Sequence, residues 1–168
     1  MAVNSIDDLF QHELQQTHKA ETSILAALAK PGLIDVAQTK LLDSFNAQAR
    51  SRIARLEQVC KPTEFAADAA EDCFDAFDHQ AAGIADQALV QRIAPFEFQA
   101  ALHHLLARYT VLAACAHQLH QTELAEMFDV IARELSAALV QVARAAPERD
   151  LHKSGLGERL TALLERKR

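Results

Sequence analysis

Apolar residues recur at alternating steps of three and four along four long stretches of this chain. That spacing returns to one face of an α-helix, so each stretch predicts an amphipathic helix with a narrow buried face. Alternating runs of β-branched residues, which would predict strands, do not occur. The sequence is therefore predicted to be all-α. The four stripes run from Phe10 to Leu28, from Leu42 to Val59, from Leu102 to Leu119 and from Leu124 to Val142.

Caps and breaks between the stripes set the predicted helix bounds. Ser5 precedes two acids in "IDDLF" and is a candidate N-cap, while "KPGL" at 30–33 stops the first helix at about Ala29. The turn "HQTE" separates the last two helices, and Pro95 is suited to the first turn of the third. The remaining three helices are predicted at about 34–60, 95–119 and 123–145.

The connection between the second and third helices is longer than the others. It contains two shorter stretches of helical pattern, at about 64–81 and between Gly83 and Pro95. A connection of this length is compatible with a crossover that joins two helical hairpins. Long helices with narrow stripes and short turns predict a four-helix bundle with shallow crossing angles.

The pattern changes after Pro147, so we divide the chain into a bundle at 1–146 and a tail at 147–168. The tail contains a short amphipathic stretch with Leu160, Leu163 and Leu164, followed by basic residues. We expect this helix to dock on its own bundle or on a second subunit. A membrane surface or a protein partner is the alternative target for a basic amphipathic end.

Composition excludes several functions. A formal net charge of −6 argues against nucleic-acid binding, and the three widely spaced cysteines include no CxxC pair. No apolar run is long enough to span a bilayer, and "MAVNSIDDLF" lacks a basic and apolar leader, so we expect a cytoplasmic protein. No nucleophile elbow or glycine-rich phosphate loop occurs, which favours a protein that is not an enzyme.

Particular motifs resemble one family. "DDLFQHELQQTHKAETSILAAL" is similar to the opening helix of the YciF/YciE-type ferritin-like stress proteins, and "RIARLEQV" resembles the end of their second helix. "HHLLARYT" and "LAEMFDVIARELSAAL" fit the spacing of the third and fourth helices. The resemblance implies a ferritin-like four-helix bundle, dimeric in its usual form, with a stress-associated role.

The resemblance also implies the place of a di-metal site, because ferritin-like bundles hold metal ions with carboxylates and histidines from facing helices. Glu21 occupies the position of the ligand from the first helix, and Glu134 is retained on the fourth. The other positions depart from the family pattern, which suggests a degenerate site and no cofactor. The residues that replace ligands there are Arg52, Leu102, Leu105, Val130 and Leu139.

Glu21 lies on the apolar stripe of the first helix, where an ionised carboxylate is costly unless it is paired. Arg52 lies on the stripe of the second helix, and a guanidinium can hold a carboxylate through two parallel hydrogen bonds. We therefore predict a buried polar cluster of Glu21 and Arg52, with Glu134 as a second acceptor. The alternative is that Glu21 lies at the edge of the stripe and reaches solvent.

Two hypotheses follow for function. The first is a non-enzymatic, stress-associated structural or interaction protein that forms a homodimer and has lost most of its metal ligands. The second is a carboxylate-bridged iron or manganese redox protein that acts on oxygen or peroxide. Its ligands would be Glu21 and Glu134, with contributions from residues such as His104 or Asp129.

Overall fold

The computed structural model describes residues 3–29, 39–59 and 87–145, with side chains at 3–29, 42–59 and 96–144. Its four helices are α1 (Ile6–Leu28), α2 (Thr39–Val59), α3 (Gln87–Gln118) and α4 (Thr122–Ala145). No strand occurs in these ranges, so the predicted all-α helical bundle is confirmed. The predicted short helix at 64–81 and the tail at 147–168 lie outside the described residues.

The start of α1 follows the predicted cap. The Ser5 hydroxyl accepts a hydrogen bond from the Asp8 N–H at 3.0 Å, and Asp8 Oδ2 accepts one from the Asn4 N–H at 3.1 Å. The bond to Ser5 satisfies an amide that the first helical turn leaves without a partner, and the bond from Asn4 ties the preceding residue to the same turn. Asp7 and Asp8 also place negative charge at the positive end of the helix dipole.

The predicted start of α3 at Pro95 is wrong. The helix begins at Gln87 and continues through Pro95 to Gln118 as one element of 32 residues. Proline removes one helical hydrogen bond, because it has no N–H to donate to the carbonyl four residues earlier. The residues before it, "QALVQRIA", are mostly good helix formers. The helix therefore continues past Pro95 although one backbone hydrogen bond is missing.

A tight turn joins α3 to α4. The His120 N–H donates to the His117 carbonyl at 3.1 Å, and the Gln121 N–H donates to the Ala116 carbonyl at 2.9 Å. Together with a φ of 57° at His120, these bonds form the Schellman arrangement that ends many helices. The Gln121 carbonyl then accepts from the Ala125 N–H and starts α4.

Side-chain pairs give the relative directions of the helices. Phe45 contacts Phe98, and Arg52 and Tyr109 bond the same Glu21 oxygen, so α2 and α3 run in the same direction. This parallel arrangement is compatible with the predicted crossover, whose residues 60–86 lie outside the described ranges. Among helices that lie side by side in the described ranges, packing is most extensive between α3 and α4 and least extensive between α2 and α4.

The centre of the core is formed mainly by residues of the predicted stripes, and Phe98 and Leu139 add buried side chains that the stripes do not include. Within the described residues, no helix combines the length and the apolarity that crossing a bilayer requires. The largest fully buried apolar side chains come from all four helices: Phe10, Leu14, Ile24, Leu56, Leu102, Leu105, Leu112, Phe128, Ile131 and Leu135.

Candidate functional site: a buried ion pair between helices

Glu21 and Arg52 are charged residues inside the hydrophobic core. Glu21 on α1 is 0% exposed and Arg52 on α2 is 1% exposed. Both lie on the apolar stripes of their helices, and the antiparallel packing of α1 and α2 brings the two positions to the same level of the bundle. The structure thus brings these two residues together and places Glu21 away from solvent.

The guanidinium of Arg52 holds the carboxylate of Glu21 through two hydrogen bonds. Arg52 Nη2 donates to Glu21 Oε2 at 3.0 Å, and Arg52 Nε donates to Glu21 Oε1. This fork geometry matches the planar carboxylate, and it is available to arginine but not to lysine. Because each charge is removed from water, the pair depends on both partners being present.

Tyr109 on α3 completes the cluster. Its hydroxyl donates to Glu21 Oε1 at 3.1 Å, and the residue is fully buried. Burial, followed by the nearby charge of Glu21, raises the pKa of the Tyr109 phenol far above its ordinary value. Tyr109 therefore remains a neutral hydrogen-bond donor, and Glu21 accepts bonds from two different helices.

Aromatic rings surround the cationic side of the cluster. The Phe45 ring lies under the Arg52 guanidinium, with Cζ 4.9 Å from the ring centroid, which allows a cation–π interaction. Phe45 in turn packs edge to face on Phe98, with centroids 5.0 Å apart. On the other side of the cluster, Tyr109 packs against Phe128, with ring centroids 6.1 Å apart. These rings exclude water and so strengthen the electrostatic attraction within the pair.

Glu134 does not belong to this cluster, contrary to our expectation of a second acceptor. It is exposed and lines a cleft between α2 and α4. The reason is its register on the helix: the buried stripe of α4 passes through Leu135, and adjacent residues point about 100° apart. Tyr109 instead supplies the third group, as a donor and not as an acceptor.

The ligands considered for the metal alternative are not brought together. His104 is exposed and accepts a hydrogen bond from Arg108 Nε at 2.8 Å. Asp129 interacts with a different histidine, its Oδ2 lying 3.2 Å from His117 Nε2. Residues 3–29, 39–59 and 87–145 contain no group of three or more His, Cys, Asp or Glu arranged to hold a metal ion. The donor set around Glu21 therefore does not fit a carboxylate-bridged metal pair.

A second polar group lies at the edge of the α1–α3 interface. Arg108 Nη1 donates to Glu13 Oε2 at 2.8 Å, and its Nε donates to His104 Nε2. Partial burial and the adjacent Arg108 charge lower the pKa of His104. This group is partly solvated and positions α3 against α1, but it offers no enclosed site.

Sequence reasoning missed the role of Tyr109. It assigned this residue to the apolar stripe of the third helix, but not to the Glu21 cluster. A usable signal was present, because Tyr109 is the only member of that stripe with a hydroxyl group. Buried tyrosines usually find a hydrogen-bond partner, and Glu21 was the candidate with unfilled acceptor capacity.

Comparisons with known proteins identify the fold. No protein-family model matches this sequence, and no curated protein matches it. Among solved structures, the chain is similar to YcfI from Rhodopseudomonas palustris, described as "a putative structural protein". The TM-score is 0.70 at 24% sequence identity, and the match covers 84% of this chain and 94% of YcfI. This likeness shows a shared helical bundle.

Proposed function

We propose that this chain is a non-enzymatic helical bundle of the ferritin-like type with a structural or interaction role. In this proposal Arg52 supplies the positive charge that metal ions supply in metal-binding relatives of the fold. The bundle then keeps its shape without a bound metal, because the charge of the Glu21 carboxylate is neutralised by Arg52, a residue of the chain itself.

The observation that carries this proposal is that both oxygens of the Glu21 carboxylate accept hydrogen bonds from neighbouring side chains. Arg52 donates to both of its oxygens, and Tyr109 donates to one of them. Buried apolar side chains, Leu102, Leu105 and Leu139, occupy positions where the metal-binding pattern requires ligands. A metal ion at Glu21 would have to displace a buried cation and acquire new ligands, which these side chains do not offer.

The proposal extends to the biological setting. The similarity of the first helix to YciF/YciE-type proteins supports a stress-associated role, a homodimer and a degenerate metal site. The structural likeness to YcfI, itself described as "a putative structural protein", is in agreement with a role that requires no catalysis. We also propose a cytoplasmic location.

Metal analysis tests this function directly. The full chain is purified from cultures supplemented with iron and with manganese, and its metal content is measured by elemental analysis beside that of Glu21→Ala. We expect far less than one metal ion per chain in both proteins. We also expect no oxidase or peroxidase activity above that of buffer containing the same metals.

The matched control is Glu126→Ala, which removes an exposed carboxylate from α4. Near-stoichiometric iron or manganese that is retained in Glu126→Ala and lost in Glu21→Ala would overturn the proposal in favour of a carboxylate-bridged redox protein. Metal that is lost equally in both variants would indicate weak binding to surface acids and would leave Glu21 in its proposed structural role.

A further inference from the structure

A cleft with a volume of about 150 Å³ opens between α2 and α4. Its floor is apolar, with Phe45, Phe98 and Val142 buried at its base, while its rim is exposed and includes Glu134. A volume of this order accommodates an apolar group the size of benzene. The cleft therefore fits one leucine-sized side chain and has a carboxylate at one edge.

The cleft lies on the least packed seam of the bundle. Of the pairs of neighbouring helices, α2 and α4 have the fewest contacts, and small residues line the α4 side at Ala137 and Ala138. Small side chains on α4, where it packs loosely on α2, leave room for a third element. An additional amphipathic segment would complete the burial of this seam.

The C-terminal segment of the chain leaves the bundle beside this cleft. Helix α4 ends at Ala145, three residues after Val142, and residues 146–168 follow. Pro147 disfavours a continuation of the helix. From Val142 back to Glu134 the cleft spans about 12 Å along α4, since a helix rises 1.5 Å per residue. The residues at 146–157 are sufficient to reverse direction and cover this distance.

The chemistry of the segment is complementary to the cleft. Leu160, Leu163 and Leu164 are spaced to share one helical face, and residues 147–168 contain six basic and four acidic side chains. The chain as a whole has a formal net charge of −6, and the cleft carries Glu134 at its rim. A leucine can fill the apolar floor while basic side chains lie near the Glu134 carboxylate at the rim.

We propose that residues 158–168 dock in the cleft between α2 and α4 of their own chain, with the leucine face against Phe45, Phe98 and Ala138. The segment is attached a few residues from the cleft, so its effective concentration there is high and favours this arrangement over a second copy. This inference does not depend on the proposed function.

The docked segment would also protect the buried ion pair. Phe45 is shared by the two features, because it lines the cleft and also lies under the Arg52 guanidinium. A leucine face on Phe45 would keep water from the cationic side of the Glu21–Arg52 pair. The tail is therefore a cover for the core at its least packed seam.

A double-mutant cycle in the full-length chain tests the docking. Leu163→Asp places a charge in the leucine face, and Ala137→Lys places a long cation in the exposed rim of the cleft. We expect each variant to lower the Tm by about 3 °C or more for a chain of this size. We expect the double variant to melt no more than about 1 °C below the less stable single variant, because both changes disrupt one contact.

Matched controls separate docking from general effects of charge. Ala162→Asp lies off the leucine face, and Val140→Lys alters an exposed apolar residue of α4 that does not line the cleft. Both controls should leave the Tm within about 1 °C of wild type. The proposal is overturned if Leu163→Asp leaves the Tm unchanged, or if the two test variants are additive. It is also overturned if Leu163→Asp converts a dimer to a monomer in light scattering, since the segment would then dock on a second copy.

Discussion

Tyr109 is the only tyrosine in the chain, and the chain contains no tryptophan. Its phenol is buried and donates to Glu21, which raises its pKa above the ordinary value of 10. In an alkaline titration we expect no tyrosinate absorbance in the folded protein at pH values where a free tyrosine ionises. The signal should appear together with loss of helical circular dichroism, because unfolding must precede ionisation.

The raised pKa of Tyr109 also determines how the stability of the folded protein depends on pH. The stabilisation from the neutral phenol is fully present below the unfolded pKa of about 10 and is lost as the pH rises above it, because the unfolded state releases the proton first. Tyr109→Phe should weaken this alkaline loss of stability. Tyrosinate absorbance that rises near pH 10 while helical content is unchanged would show that the phenol is accessible to solvent.

Arg52 is expected to be the most sensitive single position in the core. Arg52→Met removes the cation and leaves Glu21 buried without its partner, so we expect a loss of about 3–5 kcal/mol in the free energy of unfolding. Arg55→Met, the same change one turn further along α2 at a partly exposed site, is the control and should cost less than about 1 kcal/mol. Urea unfolding followed by circular dichroism measures both.

Removing both charges should be less harmful than removing one. In Glu21→Gln combined with Arg52→Met, the amide oxygen can still accept from Tyr109 and no unpaired charge remains in the core. We expect the double variant to recover at least half of the stability that Arg52→Met loses. A double variant as unstable as Arg52→Met alone would mean that the guanidinium acts mainly through packing on Phe45.

Two of the residues now assigned to the site follow from the sequence and one does not. Glu21 and Arg52 are anomalies on otherwise apolar stripes, and a charge on such a stripe requires a partner. Tyr109 causes no anomaly, because its ring fits an apolar stripe and only the fold shows where its hydroxyl points. Glu134 was predicted to join the cluster because of the family resemblance. The helical register of α4 places Leu135 on the buried face, and Glu134 is therefore exposed.

At the level of single elements, His120 is the non-glycine residue with a positive φ in the described part of the chain, and its backbone is under strain. Its φ of 57° lies in the left-handed region, which costs a residue with a Cβ about 1–2 kcal/mol relative to glycine. His120→Gly should stabilise the protein by up to about 1 kcal/mol, after the greater unfolded-state entropy of glycine is included. Chemical denaturation of both proteins measures the difference.

The same substitution at His103 is the control for His120→Gly. His103 is exposed within α3, where the backbone is helical, so glycine there should destabilise by about 0.5–1 kcal/mol. Opposite signs at the two sites would confirm that conformational strain causes the effect. Destabilisation at both sites would mean that the His120 side chain makes a contribution larger than the strain.

The predicted helix bounds agree with the structure where a side chain caps the helix. They are wrong where a proline lies among residues of high helix propensity. Ser5 caps α1 through specific hydrogen bonds, which a sequence can specify locally. Pro95 was interpreted as a start because proline favours the first turn. In the structure good helix formers precede it, and one missing bond is not enough to end a long helix.

The whole bundle has an uneven distribution of packing. Helices α3 and α4 form a tight hairpin joined by the Schellman turn, and α1 packs on α3. Within the described residues, helix α2 packs mainly on α1, since it meets α4 only along the seam that contains the cleft, and one of its buried residues is the charged Arg52. The α3–α4 hairpin with α1 is therefore the stable body, on which α2 is the most weakly held element.

Native-state hydrogen exchange measures this unevenness helix by helix. We expect amides in α2 to exchange through a partial opening with a free energy below that of global unfolding, because local stability follows buried apolar contact. Amides at the centre of α3 and α4 should exchange only on global unfolding. Arg52→Met should lower the opening free energy of α2 more than that of the α3–α4 hairpin, whereas Arg55→Met should change neither. If all four helices instead exchange with one common free energy, the bundle opens as a single cooperative unit, and the thin α2–α4 seam has no energetic consequence.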